Sequence, residues 1–120
     1  MAVRAIRGAT QVDADDRAQV LEATGELVSA VLARNDLHPD DVISILFTAT
    51  PDLRSEFPAL AARELGMGDV PLICATEIDV PHALPRVLRL MAHVETALDR
   101  SAVQHVYLRG AVALRRDIAQ

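Results

Sequence analysis

The chain has 120 residues, 51% hydrophobic and 24% charged, with 12 basic against 17 acidic side chains and a formal net charge of −5. That apolar content excludes a disordered chain, and 5 Gly with 6 Pro exclude collagen-like and low-complexity classes. The acidic balance and only 2% aromatics leave neither a basic stripe nor a stacking platform for nucleic acid. One domain over residues 1–120 is expected, with a radius of gyration of roughly 13–14 Å. The longest stretch without a formal charge, Val42 to Pro51, is ten residues, about half of what a membrane-spanning helix needs. Arg4 and Arg7 have no apolar run behind them, so no secretory signal is read there. A lone cysteine forms no intrachain disulfide, which points to a reducing, cytoplasmic setting.

Along the chain, Val3-Arg4-Ala5-Ile6-Arg7 predicts a short strand ending at Gly8. Asp13 is placed to cap a long helix to about Arg34, with Val20, Thr24, Leu27 and Val31 on one stripe, widened by Leu21, Val28 and Leu32. Asn35 is a stop, and Asp36 to Asp41 reads as a loop. Val42 to Ala49 is a short apolar run bounded by turn signals, the pattern of a buried strand. Thr50-Pro51-Asp52 is a turn, because the residue before proline is pushed away from α. Pro58 fits the first turn of a short helix to about Leu65, closed by Gly66. Val70 to Ala75 predicts another strand, and Pro85 is read as opening a third helix to about Leu98. Val103 to Leu108 and Ala111 to Leu114 flank Arg109-Gly110, which suggests a hairpin. The resulting class is α+β, a mixed β-sheet covered by helices.

The chemistry-bearing residues are few. All 12 basic residues are Arg, which removes Schiff-base and P-loop lysines. His38, His82, His93 and His105 are scattered, and no zinc-ligand, nucleophile-elbow or glycine-rich phosphate motif is present. Arg7, Arg63, Arg89 and Arg115 stand beside apolar or turn residues, and arginine's planar fork pairs bidentately with carboxylates. Each also has a plainer reading: Arg86, Arg89 and His93 are spaced as a solvated helix face, and Arg7 and Arg115 mark strand ends. Cys74 fits an inert core thiol, Glu77 and Asp79 fit loop acids, and Tyr107 fits the core.

Four segments decide between these readings. VRAIRGAT, ATPDLRSEFPALAARELG, VPLICATEIDV and HVYLRGAVALRRD, in this order and spacing, resemble the monofunctional chorismate mutases of the trimeric, pseudo-α/β-barrel class. The resemblance spans essentially the whole chain. It implies a [3,3] rearrangement of chorismate to prephenate in aromatic amino-acid biosynthesis, without cofactor or metal, in a cytoplasmic homotrimer with intersubunit active sites. By position, Arg89 matches the cation beside the ether oxygen; Arg7 and Tyr107 match residues holding the side-chain carboxylate. Glu77 and Cys74 match the pair at the ring hydroxyl, and the strand end Ile73, Cys74, Ala75, Thr76, Glu77 would lie along the ligand. Phe57, Leu72 and Leu114 match apolar walls, and Arg63 and Arg115 match residues at the mouth. Leu60 and Ile73 stand where a lysine and a threonine are common. The competing expectation is a non-catalytic trimeric module that binds small carboxylates in the same arginine cleft.

Overall fold

The computed structural model describes residues 1–114. Its first strand, β1 (Ala2–Gln11), runs past Gly8 instead of ending there. The glycine is a packing feature: a Cβ at that position would lie 3.1 Å from Leu27 Cδ1 and 3.3 Å from Leu90 Cγ. The long helix α1 (Arg17–Arg34) is capped by Asp16, whose carboxylate accepts the Gln19 N–H, and not by Asp13. Asp15 is engaged elsewhere, accepting the backbone N–H groups of Arg54 and Ser55 at 3.0 Å. The helix buries Val20, Ala23, Thr24, Leu27, Val28 and Val31, one stripe at helical spacing. Asn35 does end it, and its amide spans to the next layer. Nδ2 donates to the Val31 and Gln104 carbonyls at 2.9 Å, and Oδ1 accepts the Gln104 N–H at 2.7 Å.

Strand β2 (Val42–Ala49) follows a 3-10 turn over Pro39–Asp41. It is not buried on both sides. Ile45 and Phe47 enter the core, whereas Leu46 stays partly exposed, the period of two that one covered face demands. Helix α2 (Ala59–Glu64) and strand β3 (Leu72–Thr76) come next, and Gly66 closes the helix at a φ of +89°.

Residues 87–96 are strand β4 (Val87–Thr96), so the third helix expected from Pro85 does not form. Arg86 takes a left-handed φ of +52°. Its N–H donates to the Asp52 carboxylate at 3.0 Å, and its Nε donates to the Val12 carbonyl at 3.0 Å. That anchored residue cannot continue a helical turn. Beyond it, Leu88, Leu90, Ala92 and Val94 are buried while Arg89, Met91, His93 and Glu95 face the other way.

The second correction is the hairpin. Strand β5 (Val106–Tyr107) pairs parallel to β1, and Arg109–Leu114 then forms a 3-10 helix, with no returning strand among the described residues. Arg109 is left-handed at φ +52°. The position a Cβ of Gly110 would take lies 1.7 Å from Gln11 Oε1. The turn thereby folds back onto β1, burying Ala111 against Ala9 and Tyr107.

The sheet order is β3-β2-β4-β1-β5, with β4 antiparallel to both neighbours. Both helices pack on one face, where Ile6, Leu27, Phe47, Ala62, Leu90 and Val94 form the core. The radius of gyration is 13.5 Å. Among the described residues no helix is long and apolar enough to cross a membrane.

Candidate active site

The sheet face turned away from the helices carries the site. Backbone register places Ala75, Thr48, Arg89, Ala9 and Tyr107 in one row across all five strands. Arg89 is at the centre of that row. Ala9, the smallest side chain there apart from Ala75, leaves room between Arg89 and Tyr107. The adjacent row contains Ile73, Leu46, Met91 and Arg7. Glu77 follows β3 directly, and its N–H donates to the Ala49 carbonyl at 2.9 Å, which brings its carboxylate over the first row. Arg7, Thr48, Glu77, Arg89, Met91 and Tyr107 line a cavity of about 240 Å³.

Arginine and glutamate meet in that cavity without a hydrogen bond. Arg89 Nε is 3.7 Å from Glu77 Oε2, an ion-pair distance, and is buried with no hydrogen-bond partner among the described residues. A buried donor left unmade is costly to the free protein and serves best where a ligand atom supplies the missing acceptor. The Thr48 hydroxyl donates to the same Glu77 oxygen. The Arg7 N–H donates to His105 Nδ1 at 3.0 Å, so the ring fixes the strand that carries the Arg7 side chain.

A second hollow, of about 320 Å³, opens on the other side of β3. It is lined by Leu53, Phe57, Pro58, Cys74, Ala75 and Thr76 among others. Phe57 is 69% exposed at its rim. The loop carrying it is held by two carboxylates. Asp15 titrates below the usual aspartate range because of the Ser55 hydroxyl and the backbone N–H groups of Arg54 and Ser55. Glu56 is likewise lowered, by the Phe57 N–H and by Arg17, which donates to it at 2.9 Å.

The structure thus gathers Arg7, Glu77, Arg89 and Tyr107, and leaves other expected residues apart. Cys74 pairs with the buried Phe47 and lies on the helix-side face, opposite Glu77, so one chain does not bring the two together. Leu72 packs against the main core and lines neither hollow. Ile73 is 65% exposed on the uncovered face beside Leu46. Arg63 is exposed on α2 and lines neither hollow. Leu114 packs against Ala9, Tyr107 and Ala111. Arg115 lies outside the described residues. Sequence reasoning missed Thr48, Leu46, Met91 and Ala9. The alternation within VISILFTA was the available signal for Leu46 and Thr48.

A five-stranded sheet, helices on one face and an arginine–glutamate cavity on the other define a small α+β domain with a charged cavity on its uncovered face. The model of the family "Chorismate mutase type I" matches residues 3–118, and the chain belongs to that family. It is 41% identical over 120 residues to the chorismate mutase AroH of Bacillus subtilis, covering 99% of this chain and 94% of that one. It is 45% identical over 117 residues to the chorismate mutase AroH of Thermus thermophilus, covering 97% and 96%. A solved chorismate mutase from Clostridium thermocellum superposes with a TM-score of 0.91 at 44% identity, covering 92% of this chain and 98% of that one.

Proposed function

We propose that this protein is a chorismate mutase, an isomerase that converts chorismate to prephenate by a concerted [3,3] shift within one cytoplasmic domain spanning residues 1–120. The observation that carries the reading is the Arg89 guanidinium, central among Arg7, Glu77 and Tyr107, its buried Nε at ion-pair distance from Glu77 yet without a hydrogen-bond partner among the described residues. The reaction moves no proton and needs no nucleophile. As the carbon–oxygen bond breaks, negative charge grows on the ether oxygen, and a fixed cation aimed there lowers the barrier. Arg89 fills that role. Arg7 and Tyr107 hold the side-chain carboxylate and with it the compact conformer from which the new carbon–carbon bond forms. Glu77 takes the ring hydroxyl.

The substrate's other wall comes from a second chain. Phe57 and Cys74 open on the opposite side of the sheet from Arg89. The uncovered face also exposes Val3, Leu46 and Ile73, apolar area that favours assembly. A cyclic homotrimer closes both features at once, seating Phe57, Arg63 and Cys74 of one subunit against Arg7, Arg89 and Tyr107 of its neighbour. The test is direct: chorismate absorbance should fall with time when purified protein is added. A flat trace at micromolar protein would leave only a carboxylate-binding module.

A further inference from the structure

We propose that Thr48 is a positioning residue, whose hydroxyl holds the Glu77 carboxylate so that Arg89 stays free for the substrate; the inference rests on the chorismate mutase reading of this cavity. Thr48 sits on β2 between the two charged residues in space. It is paired in register with Arg89 on one side and with Ala75, two residues before Glu77, on the other. Its Oγ1 donates to Glu77 Oε2, the same oxygen that lies 3.7 Å from Arg89 Nε. Glu77 is therefore held twice by β2, through its N–H on the Ala49 carbonyl and through its carboxylate on Thr48.

A carboxylate and a guanidinium this close in a partly dry cavity tend to close into a bidentate pair. Here they have not closed, and among the described residues nothing accepts the hydrogen on Arg89 Nε. The Thr48 hydroxyl tethers Glu77 Oε2 to β2 and so opposes the swing of the carboxylate that would close the gap to Arg89. Without that hydroxyl, Oε2 loses a donor and Arg89 becomes the nearest replacement. The cation would then be turned from the ether oxygen toward Glu77, while binding through Arg7 and Tyr107 would remain.

The experiment compares wild type with Thr48→Val, which keeps the shape and removes the donor, and Thr48→Ser, which restores the donor without the methyl. In Thr48→Val, kcat should fall roughly 10- to 100-fold, the scale of an ångström-sized misplacement of a catalytic group, with KM changed far less. Thr48→Ser should recover most of the loss. In Thr48→Val/Glu77→Gln the kcat should be no lower than in Glu77→Gln alone, because an uncharged amide draws Arg89 far less strongly than a carboxylate. A crystal structure of Thr48→Val should show Arg89 Nε within hydrogen-bond distance of Glu77. Thr48→Ala replaces the valine variant if that one does not fold. A valine variant with wild-type kcat, a serine variant as impaired as valine, or an Arg89–Glu77 distance unchanged in the crystal each overturns the proposal. Wild-type protein that leaves chorismate untouched overturns the functional reading instead, and the crystallographic comparison still decides the geometry.

Discussion

Arg89 Nε and Glu77 Oε2 face each other at 3.7 Å, near enough to share charge and too far apart to share a proton. In a resting enzyme such a gap keeps a cation solvated on one side and available on the other. Arg89→Ala should lower kcat by about 100- to 1000-fold, the range for lost donors at developing negative charge. The effect on KM should be much smaller. Arg89→Lys should also fail, because a point charge on a flexible stem does not reproduce the fork. A kcat within about threefold of wild type would reduce Arg89 to a surface charge.

A rearrangement that moves no proton has no reason to follow neutral-range titrations. Turnover measured from mildly acid to mildly alkaline pH should be nearly constant. A bell centred near neutrality would point to general acid–base work and away from this reaction.

Stability, unlike rate, should depend on pH in acid. Asp15 titrates below its ordinary value of 3.8 in the folded chain, so its ionised form favours folding. That contribution is complete above the ordinary value and is lost as pH falls through the lower folded one. Asp15→Asn supplies one acceptor for two N–H groups and should melt below wild type at neutral pH. The two melting curves should converge once pH has fallen below the lowered folded-state value. A difference that persists unchanged in strong acid would mean the carboxylate charge is irrelevant.

Asn35 is 2% exposed and ties the end of α1 to the segment before β5 through two hydrogen bonds with Gln104, while a third goes back to Val31 within the helix. Asn35→Ala strands the Gln104 N–H and two carbonyls, at a cost of about 2–4 kcal/mol if each buried group loses part of its partner energy. Because Tyr107 follows three residues later, KM should rise as well. Denaturant unfolding with an unchanged midpoint would show that water replaces the amide fully.

Mixed assembly tests the shared cleft. Arg63→Ala and Arg89→Ala variants, each trimeric and each nearly inactive, should regain activity when unfolded together and refolded. Under random mixing about a quarter of the clefts receive both intact halves. A mixture as inactive as its parents, or wild-type protein that is monomeric at micromolar concentration, would rule out intersubunit sites.

How far the sequence could be read depended on where the deciding forces lie. The α1 stripe from Val20 to Val31 and the Pro58 start of α2 are set within a few residues, and both were legible. Strand β4 was not. Leu, Met, Ala and Arg are good helix formers, and pairing with β1 and β2 overrides that preference. Its period of two was nonetheless present in Leu88, Leu90, Ala92 and Val94. The Arg109-Gly110 hairpin failed because a contact with Gln11, far away in sequence, decides the turn. In the site, Arg7, Glu77, Arg89 and Tyr107 were picked out by family resemblance and not by spacing. The alternation within VISILFTA could place Thr48 on the uncovered face, but its partnership with Glu77 is fixed only by strand register.

The central place of β4 between β2 and β1 also orders events during synthesis. Ala2 meets Thr96 and Gln11 meets Val87, so β1 leaves the ribosome long before β4 and has no antiparallel partner until most of this domain has followed it. The Arg7 N–H waits longer still, for His105, 98 residues on. Helices α1 and α2 with β2 and β3 can gather earlier, presenting an unpaired sheet edge and an uncovered core. Folding of the completed chain should therefore be slow for its size, as non-local pairings generally are. The interval before β4 emerges is when the nascent chain is most prone to aggregate and most in need of a chaperone.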